Sequence, residues 1–337
     1  MLLYIHHYRK EVTIIILKER TPPLLIEGLE SALRRLSPNH PAIPKIQARL
    51  SSIKAGFGGE EELDRVLRDY NFPANTWILN DLSLSSRTLF QIDTLLLTPE
   101  FAVICEVKNI SGELTVKENP PQLLRVADDG TITGFISPLA QVENTCSLFK
   151  DWLLSQQIDI PVYGCVVLAY AKQRITIPPT HIPILFPRLV PNYVRSLHAD
   201  SPKLTSNELR QLTTSLINAH RDYLPDSICS IFDITTDSIK KGVACPSCEQ
   251  IGMRKRGKGW FCTSCGTRSN DAHIQAIRDW FMLFNKPLTN TCCRSFLGVK
   301  NPRTALNLMT TMELTANGNN RGRTYTLKLN KRRQKHT

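Results

Sequence analysis

Residues 90–109, FQIDTLLLTPEFAVICEVKN, constrain the fold more than any other stretch. Two apolar runs, 90–97 and 101–109, are joined by Thr-Pro-Glu, with Pro99-Glu100 suited to a tight turn. The reading is a buried β-hairpin. On a strand, alternate side chains face opposite ways. Glu106 and Lys108 therefore share one face, while Phe101, Val103, Cys105 and Val107 share the other. A hairpin centred on Pro99-Glu100 sets Asp93 opposite Glu106 and Gln91 opposite Lys108. Cross-strand Cβ atoms lie about 4.5–5.5 Å apart. Two half-buried carboxylates that close either share a proton or take a cation between them. A hard divalent ion such as Mg²⁺, bound through one or two carboxylates and several waters, suits the second solution. Asp93, Glu106 and Lys108 forming a plain buried ion network is the structural alternative.

The flanking pattern supplies the rest of a mixed α/β layer structure. Val12–Leu17 reads as a strand and 18–36 as a Pro-Pro start followed by a helix. A second helix runs from about 45 toward AGFGG, and 58–70 forms a further one with Leu63, Val66, Leu67 and Tyr70 as its apolar stripe. Glu60 shares the helical phase of Leu63 and Leu67 and becomes a third acid for the cation. Strands follow at 76–84 and 111–116, a hairpin around Asp129-Gly130, a helix over 137–156 begun by Pro138, and a buried strand at 161–170. Residues 175–203 are proline-rich and unassigned, and 205–222 read as helix.

Charge is divided unevenly. From Lys240 onward there are 19 Lys and Arg against 4 Asp and Glu, which leaves 23 against 26 in the first 239 residues. The formal net charge of +12 thus comes entirely from the last third. Such a distribution points to a polyanion, with nucleic acid, DNA first, as the partner. No apolar run reaches the length of a membrane span, and the first residues lack the features of a secretory signal, so the cytoplasm is expected.

CPSCEQIGMRKRGKGWFCTSC is a C-x2-C-x13-C-x2-C pattern. Cys245, Cys248, Cys262 and Cys265 can hold one tetrahedral Zn²⁺, structural because all four positions are filled. Disulfide pairing is the alternative. Between the pairs, Arg254, Lys255, Arg256 and Lys258 lie near Trp260 and Phe261, a composition suited to phosphate contact and base stacking. Packing of the small ribbon is the other role open to Trp260. The remaining cysteines read as buried apolar residues.

Further on, helices at 272–284 and 289–296 and one from Asn301 to Met312 precede a hairpin with a Gly/Asn-rich tip, Asn317–Arg323. This resembles a winged helix-turn-helix, in which Arg303 of the third helix and Arg321 and Arg323 of the wing would meet nucleic acid. A packing domain of the same shape is the alternative.

AGFGGEEELDRVL, WILNDLSL, FQIDTLLL, AVICEVKNISGEL and SPLAQVENTCSLFKDWL occur in that order over roughly 54–170. Together they resemble the NERD (nuclease-related) domain of the PD-(D/E)XK nuclease superfamily. The resemblance implies a restriction-endonuclease-like mixed sheet flanked by helices and metal-dependent phosphodiester hydrolysis with Mg²⁺ or Mn²⁺. By position, Glu60 matches the helix glutamate, Asp93 the metal-binding aspartate, and Glu106 and Lys108 the (D/E)XK pair. Gln141 matches the glutamine of the following helix. The expected organisation is a lead-in over 1–53, the nuclease-like domain over 54–175 and a connector over 176–240. The zinc ribbon at 241–270, the winged-helix-like module at 271–330 and a basic tail at 331–337 complete it. The other reading is a DNA-binding or regulatory protein whose nuclease fold is inactive, and RNA is a further substrate to weigh.

Overall fold

The structure is a computed structural model. It describes residues 15–328 apart from 71, 73–75, 173, 198–200 and 222–223. The start of the Val12–Leu17 run and the 331–337 basic tail lie outside the described residues.

In chain order the elements are β1 (Ile15–Lys18), α1 (Leu24–Arg35), α2 (Ile43–Asp69), β2 (Trp77–Ser85), β3 (Leu89–Leu97) and β4 (Ala102–Lys108). Next come β5 (Glu113–Lys117), β6 (Gln122–Val126), β7 (Ile132–Ile136), α3 (Pro138–Ser155), β8 (Val162–Leu168), β9 (Arg174–Thr176) and β10 (Ile184–Leu185). They continue with α4 (Val190–Ser196), α5 (Ser206–Ala219), α6 (Ile228–Ile231), β11 (Arg254–Arg256), β12 (Gly259–Phe261) and β13 (Arg268–Ser269). The last are α7 (Ala272–Phe284), β14 (Leu288–Thr289), α8 (Asn290–Leu297), α9 (Pro302–Thr310), β15 (Leu314–Asn317) and β16 (Thr324–Leu327). They form two compact units, Met1–Thr21 with Ala55–Asp222, and Pro22–Lys54 with Tyr223–Thr337.

The first unit is built on a mixed sheet of order β1-β2-β3-β4-β8-β10. β2, β3 and β4 are antiparallel neighbours, and the other contacts are parallel. Both faces of the central strands are covered, which is why they read as near-continuous apolar runs. Leu79, Leu82, Ile92, Leu95 and Ile104 pack with Phe149 and Trp152 of α3 and Leu209 and Leu212 of α5. On the other face, Ile78, Leu96, Val103, Cys105 and Val107 meet Leu63 and Leu67 of α2 and Val190 and Val194 of α4. The expected hairpin register holds from Leu97↔Ala102 to Thr94↔Cys105, closed by Thr98 and Phe101 across Pro99-Glu100. The ladder stops there. Asp93 with Glu106 and Gln91 with Lys108 are therefore not ladder pairs.

Two helices expected around AGFGG are one continuous helix, α2. Glycine costs a helix about 1 kcal/mol relative to alanine. At Gly59 it serves close packing, since a Cβ would stand 2.7 Å from Asn109 Cβ and 3.0 Å from Ala169 Cβ. A second sheet, β7-β6-β5-β9, carries the hairpin at Asp129-Gly130, where Gly130 has φ 80°. The unassigned 175–203 region supplies β10 and α4, and α5 begins with a Thr205/Glu208 capping box.

In the second unit, α1 packs with α7, α8 and α9 and with the ribbon, through Leu29, Ala32, Met253, Trp260, Phe281, Phe296 and Met309. The lead-in is thus shared out: β1 extends the first unit's sheet and α1 enters the second unit's core. Arg35 is fully buried; its Nε donates to Asp279 Oδ2 at 2.7 Å, and Nη1 donates to the carbonyls of Lys240 and Gly242. β11, β12 and β13 form one antiparallel sheet and β14-β16-β15 another. β14 is a third strand that the sequence, with only two residues there, did not reveal.

Candidate active site and metal centre

The β3–β4 ladder ends at Thr94↔Cys105, and the acids lie just beyond it, partly buried. Asp93 Oδ2 accepts the Val107 amide at 2.9 Å. Lys108 Nζ donates to Glu106 Oε1 at 2.7 Å, as two residues on one strand face can. Both side chains are half-buried. Burial, then the neighbouring charges of Glu106 and Glu60, push the Asp93 carboxyl up to about 8, against the Val107 amide and the Lys108 ammonium.

Glu60 comes in from α2, next to the closely packed Gly59. Its Oε2 accepts Arg20 Nη1 at 2.7 Å. Burial raises the Glu60 carboxyl, Arg20 opposes this, and Asp81 adds to it. Arg20 also grips Asp64 through Nε (2.9 Å) and Nη2 (3.2 Å). Sequence reading missed both Arg20 and Asp81. Asp81 interrupts β2 at the position skipped between Asn80↔Thr94 and Leu82↔Ile92, with φ 53°. Its carboxylate accepts Gln91 Nε2 at 2.9 Å, and Lys18 Nζ donates to the carbonyls of Asn80 and Asp81, both at 2.8 Å. A non-glycine residue in the left-handed region inside a strand is the signal a structure gives and a sequence does not. Gln141 lies in the first turn of α3, and its buried Oε1 has no partner among the described residues.

These donors are hard oxygens, the set that suits Mg²⁺ or Mn²⁺. Asp93 and Glu106 could hold such an ion with water completing its shell. Among the described residues Glu60 does not close on them into a three-ligand cluster; its Oε2 is engaged by Arg20. Among the described residues, one group of three or more ligating side chains gathers its atoms within 4.8 Å: Cys245, Cys248, Cys262 and Cys265.

The four cysteines sit on two matching turns. Glu249 N donates to Cys245 O at 2.9 Å and Gly266 N to Cys262 O at 3.1 Å. Glu249 and Gly266 both take positive φ, 58° and 77°. The sulfurs approach across the turns, Cys245 to Cys265 and Cys248 to Cys262, at 3.6 Å each. A disulfide needs about 2.05 Å, and all four are free thiols. The group could bind zinc.

On the ribbon hairpin, Arg254, Arg256 and Lys258 are exposed. Lys255 instead folds back, donating to the Gly257 and Gly259 carbonyls at 2.9 and 3.2 Å. The Arg256 guanidinium lies over the Phe261 ring at 4.6 Å. Trp260 corrects an expectation. It is 2% exposed, and its Nε1 donates to His273 Nδ1 at 3.2 Å, so it is a core residue with no face for a base. Arg303 in the first turn of α9 is exposed, as is Arg323, while the Arg321 side chain lies outside what is described.

No helix among the described residues is long and apolar enough to cross a membrane. Neither the curated proteins nor the solved structures contain a match to the chain. Residues 55–169 do match the family model of the nuclease-related domain. That segment holds Glu60, the strand-end acids, Lys108 and Gln141, and on this match the chain carries a NERD, or nuclease-related, domain.

Proposed function

We propose that the protein is a metal-dependent nuclease that hydrolyses DNA phosphodiester bonds and is held on DNA by its basic second unit. One observation carries the reading. Asp93 stands beside Glu106 where the β3–β4 ladder ends, and burial, with the charges of Glu106 and Glu60 added to it, pushes the Asp93 carboxyl up to about 8. A divalent cation would replace the Asp93 proton. Asp93 and Glu106 would hold Mg²⁺ or Mn²⁺, with Glu60 adding negative charge from α2. The ion would supply Lewis acidity toward a phosphate oxygen and a more acidic bound water. Lys108, on the Glu106 face, brings an ammonium donor suited to orienting water or balancing charge on the transition state. Gln141 offers an unused amide oxygen on the helix that covers this sheet face.

For the second unit we take the four cysteines as a structural Zn²⁺ site. The α7-β14-α8-α9-β15-β16 arrangement, with sheet order β14-β16-β15, supports a winged-helix module. Arg254, Arg256, Lys258, Arg303 and Arg323 would meet phosphates, Lys255 adding charge from the turn it closes. Few of these lie on α9, which favours backbone contact over base reading. Free thiols throughout suit a reducing compartment, the cytoplasm.

A second reading is a non-catalytic DNA-binding or regulatory protein. The Lys108–Glu106 and Arg20–Glu60 ion pairs favour it, since they balance two acids without a metal. Cleavage of plasmid DNA, single strands and RNA with Mg²⁺ or Mn²⁺ separates the two. Cleavage by the parent and not by Asp93→Ala or Lys108→Ala supports the nuclease; no cleavage by the parent, or cleavage that persists in both variants, rejects it.

A further inference from the structure

We infer that Arg20, which precedes the family-matched segment, is a positioning residue of the candidate nuclease centre, fixing the helix and strand that carry its acids. The inference rests on the nuclease reading above.

Arg20 follows β1, which pairs in parallel with β2 at the edge of the main sheet. Its side chain is 3% exposed, which denies it direct contact with a nucleic acid phosphate. All three guanidinium nitrogens are engaged. Nε and Nη2 form a fork on Asp64, and Nη1 takes Glu60. Nη2 also donates to the Asp93 carbonyl at 2.9 Å and to Thr94 Oγ1 at 2.8 Å. Glu60 and Asp64 lie one turn apart on α2. Asp93 and Thr94 span the end of the β3–β4 ladder. One planar cation thus ties the helix bearing Glu60 to the strand position where Asp93 leaves its partner.

The chemistry requires arginine. A lysine keeps the charge but offers one nitrogen and no fork, so it cannot serve Asp64, Glu60 and the Asp93 carbonyl together. Without the guanidinium, Glu60, Asp64, Asp93 and Glu106 would face Lys108 with little else to offset them. The bridge uses Oε2 of Glu60, and among the described residues Oε1 has no partner. Arg20 therefore holds Glu60 in place while leaving one of its oxygens unspent. Both Asp64 oxygens accept from Arg20, which marks Asp64 as part of the same support.

The test is Mn²⁺ binding to the full-length zinc-loaded protein, followed by calorimetry, alongside DNA cleavage. Parent, Arg20→Lys, Asp64→Asn and Asp93→Asn are compared, with circular dichroism to establish folding. We expect the parent to bind Mn²⁺ and Asp93→Asn to lose it. Folded Arg20→Lys should bind about tenfold more weakly and cleave at least about tenfold more slowly at saturating metal, in the range found for residues that orient ligands. Asp64→Asn should shift both in the same direction, and it decides the matter if Arg20→Lys does not fold. Parent-like Mn²⁺ affinity and turnover in the folded variants would overturn the role of Arg20 and leave the nuclease reading standing. A parent that takes up no Mn²⁺ at Asp93 would overturn both.

Discussion

Asp93 and Val107 are joined by a hydrogen bond from the Val107 amide to a carboxylate oxygen, at 2.9 Å, one step beyond the last ladder pair of β3 and β4. The side chain takes over where the backbone partner is lost. It anchors the carboxylate at the strand edge and sets it against Glu106.

Lys108 should affect turnover at saturating metal. Its ammonium contacts Glu106 and no other described carboxylate, and it lies on the face of the acids. Lys108→Ala should lower the cleavage rate by roughly 10²–10³, the usual loss for a donor aimed at developing charge. Single-turnover kinetics on labelled duplex at saturating metal would measure it.

Asp93 makes stability depend on pH in a stated direction. Its folded-state carboxyl is raised from 3.8 to about 8, so the folded protein binds this proton more tightly than the unfolded chain. The contribution is complete below the unfolded value and is lost as pH rises through the folded one. Metal-free protein should melt at lower temperature at pH 8 than at pH 6. Asp93→Asn should flatten that dependence and raise Tm at pH 8, on the order of 5 °C. Differential scanning calorimetry across this range checks the sign.

At Gly59, α2 packs closely against the residues that follow β4 and β8. A methyl group there would stand 2.7 Å from Asn109 Cβ and 3.0 Å from Ala169 Cβ. Gly59→Ala should destabilise the fold by about 1–3 kcal/mol in a denaturant melt, the range for overpacking. Gly56→Ala, with open space around its position, should be neutral or stabilising.

Removal of metal from the four-cysteine group should loosen more than the ribbon. Cys245 and Cys262 share a core with Met253, Trp260, Ala276 and Phe281. Elemental analysis should find about one zinc per chain, and Cys248→Ser should lose it together with a thermal transition.

The exposed basic hairpin should act through phosphates. Replacing Arg254, Arg256 and Lys258 with alanine should weaken duplex binding similarly across sequences. The slope of log K against log salt should fall in magnitude by roughly 1–3. Fluorescence anisotropy at several salt concentrations gives the slope.

Much of the first unit was legible because it is patterned locally. Alternation marked Glu106 and Lys108 against Val103, Cys105 and Val107, and Pro99-Glu100 fixed the register as far as Thr94. Pro138 and the Thr205/Glu208 box marked helix starts. What escaped depends on distant partners. Arg20 is an ordinary loop residue until Asp64 and Asp93 are placed beside it, 44 and 73 positions away. Asp81 takes its left-handed turn inside a sequence that reads as regular strand. The glycines of AGFGG read as a break, because the contact made by Gly59 lies on other elements. Trp260 beside basic residues looks like a stacking platform, and only His273 and the core around it show otherwise. β14 has two residues, and its pairing with β16 comes from tertiary structure.

Pro22–Lys54 belongs to one unit while the residues on either side of it belong to the other. Neither unit is one unbroken length of polypeptide. A truncation starting at residue 55, the first residue of the family match, would strip β1 and Arg20 from the sheet and take α1 out of the other unit's interior. Loss of cleavage in such a fragment would follow from both injuries at once.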